Sequence, residues 1–325
     1  MPDHHHAHDH SHGHSHGHSH GHAHGLAQGH HHAPARYDRA FAIGVLLNGG
    51  FVVAEVVFGL AANSMALLSD AAHNFGDVLA LLLAWAAAWL GRRPPSARRT
   101  YGWGRSSVLA ALVNAAVLLI GVGAIGVEAI HRLLAPQPVA VVTVMAVAAA
   151  GILINGGSAL LFMGGRGGDL NVRAQFTHLA ADAIVSMGVV IAALAIRETG
   201  WLWLDPATSL VIAIVIAVAT WGLLRDSIDL AMDAVPGRVT RSEVNDFLAA
   251  LPGVVEVHDL HIWGLSTTDV ALTAHLVCND AAGGDRRLHE LNAELQHRFG
   301  IGHATLQIET DTDAALCRLR PHDVV

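Results

Sequence analysis

The sequence has no lysine, two cysteines and two tyrosines, and only 14% of its residues are charged. Its basic residues are all arginines scattered at loop ends, with no basic stripe interleaved with aromatics, which argues against a nucleic-acid partner. Cys278 and Cys317 lie far apart, so no disulfide framework is expected. No P-loop, GxSxG or Ser-His-Asp order is present, which removes ATP drive and the common hydrolase chemistries. A zinc protease would need HExxH, and His289-Glu290-Leu291-Asn292-Ala293 brings no second histidine. No secretory signal is expected either, because the first apolar run follows a polar tail of more than thirty residues. An enzyme is the least supported class.

What the chain has in abundance is apolar surface and histidine. Hydrophobic residues make up 52% and the mean hydropathy is +0.42, a balance that points to a membrane. The formal net charge is -8 with all 25 histidines counted neutral, and imidazoles that titrate or bind metal near neutral pH make that figure soft. Fifteen histidines fall between His4 and His32, mostly alternating with small residues, so residues 1–35 are expected to be a disordered tail. An expression tag is a clean histidine run; the repeat His12-Gly13-His14-Ser15-His16-Gly17-His18 reads as native.

Six apolar runs follow, near 38–60, 65–90, 106–130, 139–163, 173–196 and 204–224, each close to the ~20 residues that cross the hydrocarbon core. Turn chemistry separates them, as in Gly91-Arg92-Arg93-Pro94-Pro95 and Gly164-Gly165-Arg166-Gly167-Gly168. Nine arginines (Arg36, Arg39, Arg92, Arg93, Arg98, Arg99, Arg105, Arg166 and Arg173) fall on one side of this pattern and two, Arg132 and Arg197, on the other. The positive-inside rule then puts both termini in the cytoplasm. From Pro236 the composition turns soluble and reads helix (Arg241–Leu251), strand (Val254–Trp263), strand (Asp269–Cys278), helix (Arg286–Phe299), strand (Ala304–Glu309). The expected architecture is an α-helical membrane protein of six transmembrane helices (36–225), a linker (226–240), a cytoplasmic α+β domain of order αββαβ (241–312) and a short tail (313–325).

Ionisable residues inside membrane helices are costly and mark function. His73 and Asp77 are four apart on the second helix, and His178 and Asp182 repeat that spacing on the fifth, so each pair stacks on one helix face. Brought together they offer two imidazoles and two carboxylates, a set suited to a tetrahedral divalent ion such as Zn²⁺. The alternative for one such pair is a helix–helix hydrogen bond; two at identical spacing favour a shared metal site. Asp70 lies on the same face, either lining the access path or bonding a neighbouring helix. Glu55 is read as lining a cavity, accepting a proton, or packing against Asn114 or Asn155.

The segment Ser64-Met65-Ala66-Leu67-Leu68-Ser69-Asp70-Ala71-Ala72-His73-Asn74-Phe75-Gly76-Asp77 resembles the second-helix signature of the cation diffusion facilitators, and His178-Leu179-Ala180-Ala181-Asp182 their fifth-helix motif. Tyr101-Gly102-Trp103-Gly104-Arg105, Asp205-Pro206 and His258-Asp259-Leu260-His261-Ile262-Trp263 are similar to their third-helix, sixth-helix and cytoplasmic-domain openings. The likeness covers about residues 36–312. It implies a homodimeric antiporter that exports Zn²⁺ from the cytoplasm in exchange for H⁺ by alternating access, with His73, Asp77, His178 and Asp182 as the transport site; chain length, the all-arginine usage and the lack of a targeting segment favour a bacterial inner membrane over that of an organelle. It also implies a ferredoxin- or metallochaperone-like cytoplasmic domain binding regulatory zinc, where His258, His275, His289 and Glu309 match family ligand positions. Gln307 stands where some members have histidine, so one ion rather than two is expected there. His261 is an additional candidate, and Cys317 resembles tail cysteines that donate across the dimer in some relatives. The histidine-rich stretch of many animal relatives lies between the fourth and fifth helices; here it is N-terminal, with a metal-collecting role in view. Alternatives are the same machine carrying Co²⁺, Cd²⁺, Ni²⁺ or Fe²⁺, a metal sensor or store without flux, and a channel.

Overall fold

The computed structural model describes residues 37–163, 170–279 and 284–320. The tail histidines 4–32 and the loop at 164–168 lie outside the described residues. The chain divides into two units, Met1–Ala42 and Ile43–Val325. Of the first, only the opening of α1 belongs to the described residues; both candidate sites lie within the second.

Six long helices come first: α1 (Tyr37–Ala62), α2 (Met65–Gly91), α3 (Ser106–Leu134), α4 (Val141–Phe162), α5 (Leu170–Thr199) and α6 (Leu204–Ala231). Five of them are long and apolar enough to cross a membrane, and Asn48–Ala62 adds a shorter apolar stretch of α1. Their burial is inverted relative to a water-soluble bundle. Leu46, Ile120, Val142, Leu153 and Val218 are exposed, whereas Glu55, Asp70, Asn74, Asn114, Asn155, Asp182 and Asp205 are buried. Apolar side chains facing outward and carboxylates facing inward suit a lipid surround.

The helices approach closely because small residues line their seams. A Cβ on Gly76 of α2 would come 2.3 Å from Leu118 of α3, and one on Gly151 of α4 would come 2.9 Å from Ser186 Oγ of α5. The start of α2 is fixed twice. Ser64 caps it by accepting from the Leu67 N–H, and donates its hydroxyl to Asp205 on the first turn of α6 at 2.5 Å. The Asp205 carboxylate also accepts the Met65 N–H at 2.6 Å, so it satisfies the open N-terminus of a second helix while opening its own.

α6 continues seven residues beyond the expected end at 224 and takes up part of the expected linker. The expectation ended where charge begins, at Arg225 and Asp226, but charge ends a membrane span and not a helix. The helix stops where Asp233 adopts φ +60°, the left-handed conformation common after a helix C-terminus. Arg105 at the start of α3 pairs with that same Asp233, and the Ser107 hydroxyl accepts the Thr267 N–H at 3.1 Å.

The remainder is α7 (Arg241–Ala249), β1 (Val254–Gly264), β2 (Val270–Cys278), α8 (Gly284–Phe299), β3 (Ile301–Glu309) and the single turn α9 (Asp311–Ala314). The strand order is β1-β2-β3, with β1 antiparallel and β3 parallel to β2, α8 making the crossover. Val244, Leu248, Leu260, Ile262, Leu272, Leu276, Leu291, Leu295 and Ile301 form the core between sheet and helices. β3 begins three residues earlier than expected, because Gly300 at φ +69° ends α8 and the strand follows at once.

Candidate metal centres

The helical part brings all four expected residues to one place. His73 Nε2 lies 3.0 Å from Asp182 Oδ1. His178 Nε2 lies 3.4 Å from Asp77 Oδ2 and 3.7 Å from Asp182 Oδ2. The pairing is therefore crossed: each imidazole meets the carboxylate of the other helix. The two rings meet edge to face with centroids 6.2 Å apart. Donor atoms of His73, Asp77 and Asp182 all lie within 4.8 Å of one another, the spacing of groups that a single ion can draw together.

Burial grades across the set. The Asp182 side chain is 4% exposed, whereas those of His178 and Asp77 are 41% and 35% exposed, so one side of the site is open. That side faces a cavity of about 540 Å³ lined by His73, Asp77, Asn114, His178, Thr208 and Thr220 among apolar neighbours. With both carboxylates ionised and both imidazoles neutral, the four side chains carry a charge of minus two, the complement of a divalent cation.

Asp70 and Glu55 stand behind this set. Ser186 donates to Asp70 Oδ2 at 3.0 Å and Asn74 donates to Glu55 Oε2 at 2.8 Å. The expected partners of Glu55, Asn114 and Asn155, are not those it bonds; Asn74, next to His73, takes that place. Sequence spacing on α1 alone could not show that Glu55 faces α2.

A second cluster forms at the sheet. His258 and His275 are directly opposed across β1 and β2, and Glu309 ends β3. His275 Nδ1 lies 2.9 Å from Glu309 Oε1, and His258 Nε2 lies 3.4 Å from Glu309 Oε2. Both ring nitrogens of His258 and Glu309 Oε2 are buried without a hydrogen-bond partner, which suits donors that a metal ion can satisfy. Cys317 Sγ lies 3.5 Å from His275 Nδ1 and completes a group of four whose donor atoms fall within 4.8 Å. Two imidazoles, a carboxylate and a thiol fit tetrahedral zinc. Gln307 donates to Glu309 Oε1 at 2.7 Å and steadies that carboxylate.

Two further candidates from the sequence are placed as follows. His289 lies exposed on α8 and contributes no donor to the cluster of its own chain. Leu291 and Leu295 of the same helix are buried, and the helical period turns residue 289 away from them. Cys317, noted at first as an across-dimer donor, occupies the fourth place within its own chain. The one hint in the sequence was a lone cysteine eight residues after Glu309.

A bulge explains why His258 reaches the site at all. On β1, Leu260 and Ile262 enter the core, and strict alternation would send His258 in with them. The register shifts between His258 and His261, and Asp259 sits at φ +51°. The extra residue reverses the facing, so that Val257 packs on the core and His258 faces His275 on the other side of the sheet. Asp259 also accepts from His261 Nε2 at 2.8 Å and lies 3.6 Å from His275 Nε2.

These features define a multi-pass membrane carrier with a paired imidazole–carboxylate cluster in its helices and a second cluster of candidate metal donors in an attached α+β domain. The match to known families is specific at both ends: residues 41–230 match the cation efflux transmembrane domain, and residues 236–311 the cytoplasmic domain of cation efflux proteins. The chain belongs to the cation efflux family; it is a divalent-cation efflux transporter and not an enzyme. It is 38% identical over 284 residues to the metal cation efflux system protein CzcD of Cupriavidus metallidurans, covering 86% of this chain and 90% of that protein. It is 38% identical over 271 residues to the zinc transporter ZitB of Escherichia coli, covering 83% and 86%. It is 32% identical over 301 residues to the cadmium, cobalt and zinc/H⁺-K⁺ antiporter of Bacillus subtilis, covering 89% and 96%.

Proposed function

We propose that this chain exports Zn²⁺ from the cytoplasm in exchange for protons, by alternating access, with the ion held between His73, Asp77, His178 and Asp182. The observation that carries the reading is the crossed pairing of the two imidazoles with the two carboxylates. A bound ion replaces both imidazole–carboxylate contacts at once and ties α2 to α5. Protons compete for the same atoms, because an imidazole that binds metal must be neutral. Protons arriving from the outer face discharge the ion, and the protonated site reloads on the cytoplasmic face after losing them. Rocking of α2 and α5 together switches access.

The cytoplasmic cluster of His258, His275, Glu309 and Cys317 holds a separate, regulatory zinc in this reading, and the chain works as a homodimer, as the name of its dimerisation-type cytoplasmic domain supports. The exposed His289 is available to a partner chain. The arginine asymmetry supports cytoplasmic termini, and the chain length and all-arginine usage support a bacterial inner membrane. The relatives named for cadmium and cobalt support a second cargo reading, since those ions accept the same donors.

Flux of Zn²⁺, Cd²⁺, Co²⁺ and Mn²⁺ into proteoliposomes under an imposed pH gradient tests this, alongside Asp182→Ala. Zinc uptake that follows the gradient and vanishes in the variant is expected. Zinc uptake indifferent to the gradient would refute the exchange, and preferential flux of another ion would change the cargo.

A further inference from the structure

Two carboxyl groups are sealed among the membrane helices and are used by neither metal centre. Glu55 of α1 is 0% exposed and Asp70 of α2 is 1% exposed. They stand near enough to repel one another when both are ionised. Each has one oxygen satisfied by a neutral donor: Asn74 Nδ2 on Glu55 Oε2, and Ser186 Oγ on Asp70 Oδ2. Each has the other oxygen, Glu55 Oε1 and Asp70 Oδ1, buried with no partner. Two ionised carboxylates can only accept, so they cannot bond each other. One proton placed between them supplies the missing donor and removes the repulsion of two buried like charges.

We propose that Glu55 and Asp70 form a proton site that shares one H⁺ while the transport site is empty and gives it up when the metal ion binds. The site is built against the metal centre on two elements. On α2, Asp70 is one turn before His73, and Asn74 is the residue after it. On α5, Ser186 is one turn beyond Asp182. The charged or titratable groups near the pair are His73 and Asp182, acting on Asp70. α4, which packs on α5, carries none. Among the described residues no arginine acts on the pair, so a proton shared between the carboxyls, a proton on His73 or a divalent ion in the adjoining site is what offsets its charge.

The step balances simply. As the ion binds, its two positive charges stabilise the ionised pair; the shared O–H bond breaks, the proton passes to water, and two carboxylates remain. When the ion leaves, a proton returns to a carboxyl oxygen. The pair thereby adds a counter-ion position distinct from the imidazoles, which lose protons at the metal itself. This deepens the antiport reading and rests on it for its physiological meaning, though not for its measurement.

The test uses the purified full-length protein, with Glu55→Gln and Asp70→Asn made separately so that a folding failure of one leaves the other. Infrared difference spectra of the zinc-free and zinc-bound protein read protonated carboxyl groups directly. A pH-indicator dye counts the protons released per Zn²⁺; the other zinc-binding histidines contribute equally to each protein. The wild type should show a protonated-carboxyl band that disappears on adding Zn²⁺. Both variants should lack it, keep Zn²⁺ binding, and release about one proton fewer per ion. A wild type without the band, or variants that keep it or release as many protons as the wild type, would overturn the proposal. Zinc flux indifferent to a pH gradient would defeat the antiport reading while the band and the proton count still decided the pair.

Discussion

Asp182 offers the sharpest test of the transport site, because one carboxylate serves both imidazoles: Oδ1 stands 3.0 Å from His73 and Oδ2 stands 3.7 Å from His178. Asp182→Asn keeps the shape and removes the charge, leaving minus one opposite a divalent ion where there was minus two. Losing one partner of a buried charged contact costs about 3–5 kcal/mol, which is a weakening of roughly 100-fold or more in Zn²⁺ affinity. The assay is thermal unfolding with and without Zn²⁺, in a His258→Ala/His275→Ala background that silences the cytoplasmic cluster. At a free Zn²⁺ of about a hundred times the dissociation constant, binding stabilises the folded protein by about 2.7 kcal/mol. A hundredfold loss of affinity at the same concentration cuts that to about 0.4 kcal/mol. The zinc-dependent rise in melting temperature should therefore all but disappear in Asp182→Asn. A rise equal to that of the background protein would show that Asp182 is not a ligand.

Other expectations follow from the same geometry. Asp259 holds φ +51°, which glycine tolerates and a β-branched residue does not, so Asp259→Gly should keep cytoplasmic zinc while Asp259→Val should lose it. Zinc counted per chain in the Asp182→Ala background reads that difference. Asp205→Ala leaves the Ser64 hydroxyl and the Met65 N–H without their acceptor, and should cost about 1–3 kcal/mol, seen as a lower melting temperature with or without metal. Zinc affinity of the transport site should fall steeply on acidification. Two imidazoles that must both be neutral weaken binding by up to about 100-fold per pH unit below the range in which they titrate; calorimetric titration across pH in the His258→Ala/His275→Ala background would contradict this if affinity stayed flat.

How far the sequence led depended on which property a residue expresses locally. The six apolar runs and the two His-x-x-x-Asp pairs could be read directly, since a helix fixes the face on which residues four apart emerge. What spacing does not carry is which helix stands opposite, so the crossed pairing and the choice of Asn74 over Asn114 for Glu55 emerge only from packing. The sheet was legible in its alternation, except where alternation misleads. His258 shares the parity of Leu260 and Ile262, and only the left-handed residue at Asp259 moves it to the other face. His289 illustrates the converse, because a motif position names a residue and not the chain whose site it can reach.

The two candidate metal centres offer similar donors but differ in closure, and closure should set their kinetics. In the helices, His178 and Asp77 keep 41% and 35% of their side chains exposed to a cavity, whereas in the sheet the His258 and Glu309 side chains keep 1% and 5%. A site that must load and discharge on every cycle needs an open side for water or a proton to take over a ligand as the ion leaves. A site whose ion reports on metal supply can be closed, like structural zinc centres, with a thiol from Cys317 to slow release. Chelation from the zinc-loaded protein should accordingly proceed in two phases after mixing with excess EDTA. The fast one should be absent in Asp182→Asn and the slow one in His258→Ala. If the phase lost with His258 were the faster of the two, burial would not be what distinguishes the sites, and the assignment of transport to the helices and regulation to the sheet would lose its physical basis.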